Sequence, residues 1–238
     1  MAAPTYVAAG GMDASVTSGA VLDPALPVGW AADDIHVMPV TWVGSVLPNT
    51  PSGFTEWTAL QYRNGTVFNA NVYWRRAVGG DGIPNISMAS ATTNLRSCNV
   101  YGFRGCDTSG DPLDQASVSA NAASATVSTA SITTVATETI VAFLYAYEDD
   151  PLAATQPSGY SAFDISTSST ASDTAHGGAW KQLTSPGTEN PSTTVSGGTF
   201  ANSPNVGWLI ALKAPAAAPS GIFPQRGFYP SRFHRQGR

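Results

Sequence analysis

The residues of this chain that could do chemistry are few, and they do not gather into an arrangement that a reaction requires. Glycoside cleavage needs two carboxylates placed across the scissile bond. Glu56, Glu138, Glu148 and Glu189 form no paired motif, and Asp149-Asp150 lies in a turn. His36, His176 and His234 are far apart in sequence, so each reads as a surface or packed histidine rather than a base. The chain contains no Gly-x-Ser-x-Gly elbow, His-Glu-x-x-His helix, phosphate-binding loop or Gly-x-Gly-x-x-Gly fingerprint. Asp107, Asp111 and Asp114 could bring carboxylates and carbonyls onto a calcium ion, but their spacing fits no EF-hand, and polar turn residues explain them more simply. If the segment between Cys98 and Cys106 were extended, the two would stand about 25 Å apart, whereas a disulfide needs Cα atoms within about 7 Å. Free thiols in small core or interface positions are therefore expected, and two cysteines with three scattered histidines give no zinc spacing. The expectation is a non-enzymatic chain with no catalytic residue, metal or cofactor.

Charge is more informative than catalysis. Only 11% of the 238 residues are charged, and the formal net charge is -5. All 16 acidic residues precede position 190, while the last 13 residues, Arg226–Arg238, hold four arginines, one histidine and no acid. Removing that +4 leaves -9 on the rest. Prolines at 215, 219, 224 and 230 rule out a helix there and favour extended backbone, so 215–238 reads as a basic, aromatic C-terminal arm. Phe223, Arg226, Phe228, Tyr229, Arg232, Phe233, Arg235 and Arg238 are its expected partner-binding residues, since rigid rings supply apolar area and guanidinium forks supply paired hydrogen bonds. Four arginines on an acidic body make a weak footprint for nucleic acid, which is not expected as a partner. No apolar run approaches the ~18 residues needed to cross a bilayer. Residues 1–33 contain no Lys or Arg, so a classical secretion signal is not expected.

The elements that would carry these residues are strands divided by turn chemistry. Patterning predicts them near 35–43, 54–63, 67–77, 83–88, 97–104, 140–147, 160–166, 177–183, 192–200 and 206–213. Asn64-Gly65 gives the best signal for a two-residue hairpin turn. An offset of 106 residues lays the chain over itself, placing Trp74 on Trp180, Arg75 on Lys181, and Pro51-Ser52-Gly53-Phe54 on Pro157-Ser158-Gly159-Tyr160. The same offset puts 37–42 on 143–148 and 100–103 on 206–209. The expected fold is all-β, a jelly-roll or Greek-key β-sandwich built from two internal repeats. Residues 1–33 are expected to form an extended N-terminal arm that, with the C-terminal arm, clamps neighbouring subunits, and 34–214 form the sandwich. Its halves, 34–115 and 138–214, are joined by a Ser/Ala/Thr-rich surface crossover at 116–137 with room for one strand.

The six tryptophans raise the question of a sugar-stacking platform. Trp30, Trp42 and Trp57 are the candidates for contact with a host-surface glycan, with core or interface burial as the alternative, whereas Trp74, Trp180 and Trp208 sit beside apolar neighbours and read as core.

Four motifs follow one order: Pro51-Ser52-Gly53-Phe54-Thr55-Glu56-Trp57, Val72-Tyr73-Trp74-Arg75-Arg76-Ala77, Tyr101-Gly102-Phe103-Arg104-Gly105-Cys106-Asp107 with Asp111-Pro112-Leu113-Asp114, and Trp208-Leu209-Ile210-Ala211-Leu212-Lys213-Ala214-Pro215. Together they resemble a family of tailed-bacteriophage virion proteins and prophage-encoded homologues. In that family a P-x-G-[WF] turn precedes a YWR-x-A strand and a [YF]-R-G-[VC]-D turn, and an apolar strand ends near Leu-Lys/Arg-Pro. The resemblance covers roughly 34–215. It implies a virion location, with other virion proteins such as the major capsid or tail protein as partners and a homo-oligomer as the assembly. A capsid decoration or cement protein is the preferred expectation, because a single unit of this size lacks the long repeats of a tail fibre. A receptor- or glycan-binding module displayed on the particle is the alternative. Pro39 departs from the family's apolar first strand and predicts an edge strand or a bulge there.

Overall fold

The computed structural model describes residues 3–65, 67–121, 124–149, 151–163, 165–168, 174–197 and 203–216. Among them the fold is all-β, with one short 3-10 turn at Thr58–Leu60. The first half contains β1 (Thr5–Ala9), β2 (Asp13–Ser15), β3 (Ile35–Trp42), β4 (Thr55–Glu56), β5 (Asn69–Arg76), β6 (Arg96–Cys98) and β7 (Tyr101–Arg104). The second contains β8 (Leu113–Asn121), β9 (Thr126–Ser128), β10 (Ile132–Thr133), β11 (Thr139–Tyr147), β12 (Ala153–Ala154) and β13 (Ser161–Ala162). It continues with β14 (Ser166–Ser168), β15 (Thr174–Leu183), β16 (Thr188–Glu189), β17 (Ser192–Ser196) and β18 (Asn205–Lys213).

Two antiparallel sheets dominate. One runs β1-β7-β3-β5-β4, with β2 on β6 and β6 on β3; the other runs β8-β18-β11-β15-β13, with β14 also on β15. Each main path has five strands, but the offset of 106 does not hold throughout: with Trp74 laid on Trp180, Val37 falls on Ala142 (142 − 37 = 105) and Tyr101 on Ile210 (210 − 101 = 109), so 37–42 does not lie over 143–148 nor 100–103 over 206–209. Thr55 pairs with Trp74 in the first sheet, and Ser161 with Trp180 in the second, at the same spacing along the chain. The turns Pro51 O to Phe54 N and Pro157 O to Tyr160 N match likewise, both at 3.1 Å.

The inner faces of the sheets close on each other. Ile35, Val37, Val72, Tyr101 and Phe103 from one meet Ile140, Ala142, Leu144, Trp208, Ile210 and Leu212 from the other in a single buried cluster. Each sheet also buries its outer face, the first around Met38, Val40, Tyr73 and Ile86, the second around Val141, Phe143, Tyr145, Tyr147 and Leu209. Central strands β3 and β11 are therefore buried at every position. That is why β11 reads as the unbroken apolar run Ile-Val-Ala-Phe-Leu-Tyr-Ala-Tyr and not as an alternation. The outer cover of the second sheet is the small β12-β17-β9 sheet. In the first half only isolated bridges, Leu22 to Ile86 and Pro48 to Met88, stand in corresponding places.

The structure corrects several expectations. The described part of the expected extension, residues 3–33, is not outside the domain: β1 is the edge strand on β7, and β2 pairs with β6. The stretch 116–137 is not a plain crossover, since β8 holds the equivalent edge on β18 and β9 and β10 follow it. Pro39 lies in a central strand, paired to Val72 of β5 on one side. On its other side the neighbouring strand breaks between β6 and β7, where Asn99 N reaches Pro39 O at only 3.4 Å. The missing amide of proline cannot complete the ladder at that point, so the neighbour is interrupted and β3 is not. In the second sheet Leu144 takes the interior place and β18 runs unbroken along β11. Asn64-Gly65 does turn the chain, with Gly65 at φ 59, but the closing pair is Tyr62 with Ala70. Asn69 holds this wider loop by accepting from Asn64 N and donating to Gly65 O.

Both cysteines are free and buried. Burial pushes the Cys98 thiol well above its ordinary value and Cys106 to about 12, which leaves both unreactive.

Packing depends on glycine at two adjacent places in β15, Gly177 against the Tyr145 ring and Gly178 against backbone. A Cβ on Gly178 would lie 2.5 Å from Phe143 O and 2.6 Å from the Phe163 ring, both inside the fold. Gly178→Ala is expected to lose about 1–3 kcal/mol of stability through overpacking. Gly187→Ala, whose Cβ would meet open space, should stay within about 0.5 kcal/mol. Urea denaturation of the two variants checks this, and equal losses would contradict it.

Candidate functional site

The motif residues come together at the end of the sandwich where the first half hands over to the second. Arg104 reaches Asp34 through Nε at 2.9 Å and Nη2 at 2.7 Å, a two-pronged pair in which Asp34 is buried. The hydrogen bond and the charge of Asp34 raise the guanidinium's already high pKa. Arg76 donates to Asp107 O and Gly110 O, so the end of β5 grips the loop after β7. Trp57 Nε1 donates to both oxygens of Asp111 at 3.1 and 3.2 Å, and its ring stacks on Trp74 at 5.6 Å and 17°. Asp107 accepts from the Ser109 amide and hydroxyl, lies 3.7 Å from Lys213 Nζ, and gives its own amide to Lys213 O. The Ser109 amide is the main cause holding its carboxyl below the usual range, opposed by partial burial and aided by Lys213. Asp114 accepts from Val135 N and Ala136 N.

Each aspartate of the 107, 111 and 114 set thus has its own task in a different part of the joint. Among the described residues no group of three or more His, Cys, Asp or Glu side chains is placed to hold a metal ion.

Beside this joint lies a cleft of about 360 Å³, lined by Asp107, Ala136, Thr137, Glu138, Lys213, Ala214, Pro215 and Ala216. Glu138 has a left-handed backbone, φ 55, and its carbonyl accepts from Ala214 N at 3.0 Å. A non-glycine residue held in that region costs free energy that the surroundings must supply.

Sequence reasoning missed a second polar cluster, which lies between the sheets. Ser97 Oγ is 2.9 Å from His176 Nε2, 2.8 Å from Thr41 Oγ1 and 3.0 Å from Thr174 Oγ1, and Thr174 donates to Tyr147 O. A serine beside a histidine suggests nucleophilic catalysis, but both residues are 0% exposed and His176 Nδ1 has no partner among the described residues to orient it. These four side chains are joined through the Ser97 hydroxyl across 135 residues of chain and serve as a polar tie in the core, with His176 Nδ1 left over. No spacing in the sequence marks such a contact.

Of the three tryptophans considered for a sugar platform, two are buried. Trp42 and Trp57 are 1% and 5% exposed, with Arg63 lying over Trp42. Trp30 is half-buried and packs edge-on to His36. Trp208 is fully buried and donates to Leu60 O, while Trp74 and Trp180 are half-buried against the inner core. The proposed arm contacts, Phe223, Arg226, Phe228, Tyr229, Arg232, Phe233, Arg235 and Arg238, lie outside the described residues. Comparison with known proteins finds no matching family model, no matching curated protein and no matching solved structure.

The buried histidines carry a pH signature. Burial lowers His176 to about 3; burial and then Arg75 lower His36 to about 4. Both are neutral when folded, and the unfolded chain binds their protons below its ordinary value of about 6.5. Stability is therefore complete above pH ~6.5 and falls as pH drops toward the folded values, by up to about 1.4 kcal/mol per pH unit for each histidine. His176→Gln keeps a partner for Ser97 but removes one titration. Denaturant curves from pH 7 to 4.5 should be flatter for it than for the native chain, and an unchanged slope would contradict the assignment.

Proposed function

We propose that this chain is a non-enzymatic structural protein of a bacteriophage virion, most specifically a capsid decoration or cement protein, held on the particle by its basic C-terminal segment. The observation that carries this reading is where the positive charges go. All seven cations of the body have internal tasks. Arg63 bonds Ala70 O, Arg75 meets Asp81, Arg76 bonds Asp107 O, and Arg96 bonds the carbonyls of Thr17 and Ala20. Arg104 meets Asp34, Lys181 meets Glu189, and Lys213 meets Asp107. The four arginines beyond residue 225 are the rest of the chain's positive charge, and they follow an acidic body.

Such a chain supplies a rigid body and a separate charged connector, which suits a part whose work is mechanical. The motif order that resembles phage virion proteins agrees with it. The pairing of β1 with β7 and of β2 with β6 favours the C-terminal end as the connector, because these N-terminal strands are already engaged in the first sheet. The glycan-binding alternative loses its main support with the burial of Trp42 and Trp57.

Deleting residues 217–238 tests the reading. The truncated protein should keep its circular dichroism spectrum yet fail to join otherwise assembled particles. Normal incorporation would show that the body docks without the segment and would overturn the proposal.

A further inference from the structure

The cleft beside the joint contains one charge that nothing in the body answers. Lys213 faces Asp107 across it, whereas the Glu138 carboxylate takes part in none of the hydrogen bonds or ion pairs found among the described residues. The cleft therefore carries one net negative charge, on a residue whose backbone is held at φ 55. Its far wall is Ala214–Ala216, the last described part of the chain, after which 22 residues with four arginines remain.

We propose that this cleft receives the C-terminal segment, residues 217–238, of a second copy of the chain, with an arginine of that segment paired to Glu138. The inference rests on the reading of the segment as a binding arm. Three observations carry it. Charge is complementary, and a guanidinium fork matches a carboxylate in two bonds. At about 3.3 Å per extended residue the segment can reach roughly 70 Å, enough to reach a neighbouring copy, and prolines at 219, 224 and 230 keep its backbone suited to a groove. Occupation of a cleft by the segment of its own chain is the competing outcome, and it would leave the native protein monomeric. Exchange between two copies lets each give an arm and receive one, a closed and reciprocal arrangement.

Sedimentation velocity on the full-length protein tests this, with Glu138→Lys, Glu138→Gln and the form lacking 217–238 alongside. The native protein should self-associate. Each variant alone should associate about tenfold more weakly or not at all. A mixture of Glu138→Lys with the truncated form should recover a one-to-one complex, since one supplies the arm and the other the intact cleft. That complex should dissociate at about 1 M salt, where charges are screened within a few ångströms. Self-association of Glu138→Gln and Glu138→Lys equal to that of the native chain would overturn the proposal, as would a native protein that stays monomeric. Particle incorporation separates this from the broader reading. If Glu138→Lys joins particles normally and the truncated form does not, the arm anchors the protein but the cleft is not its receptor. If the truncated form joins normally, the broader reading itself fails.

Discussion

Everything in this molecule depends on the contact between the inner faces of its two sheets. Each sheet presents a row of apolar side chains that water would otherwise meet, and the opposite sheet is what covers them. Trp208 stands at the middle of that contact, fully buried, with its indole N–H given to Leu60 O on the other side. Truncating a buried residue of that size costs about 3–5 kcal/mol, which is a large share of the roughly 5–15 kcal/mol that holds a domain together. The polar tie of Thr41, Ser97, Thr174 and His176 crosses between the same halves and is satisfied only while they are joined. Each half keeps a smaller outer cluster of its own, but the inner one is completed only by the other half.

That constraint also explains the electrostatics. With both faces of both sheets buried, the loops at the joint have to be fixed by polar contacts, and the arginines and aspartates of the motifs do this. Arg76, Arg104 and Lys213 each bind the chain near Asp107 or Asp34, and Trp57 holds Asp111. These residues resemble catalytic types in composition but act as fasteners. What remains unanswered at this end among the described residues is Glu138, and the rest of the chain's positive charge lies beyond residue 225.

Much of the architecture was legible in the sequence, because strand propensity and Gly/Pro turns are local signals. Gly53 and Gly159, at φ 77 and 78, turn the chain where their matching motifs predicted. Less legible were the edge strands β1 and β8. Their partly buried, small and polar residues, such as Ala116-Ser117-Val118-Ser119, resemble linker composition and gain strand identity only by pairing with β7 and β18. Pro39 was misplaced because a proline normally marks an edge; here the defect is absorbed by the neighbour, a tertiary outcome with no local signature. The joint was half legible. Its motifs could be named, but their meeting at Asp107 depends on contacts such as Arg76 to Gly110 and Asp107 to Lys213, which bring distant segments together. The Ser97 and His176 contact had no sequence signal at all.

The central claim is that the two sheets form one cooperative body. Native-state hydrogen exchange at the central strands measures it most directly. The account predicts that the slowest amides of β3 and β11 open with the same free energy and the same denaturant dependence, equal to those of global unfolding. If β3 opened several kcal/mol before β11, or the reverse, the halves would be separate stability units and the shared inner core could not be the interaction on which the fold depends.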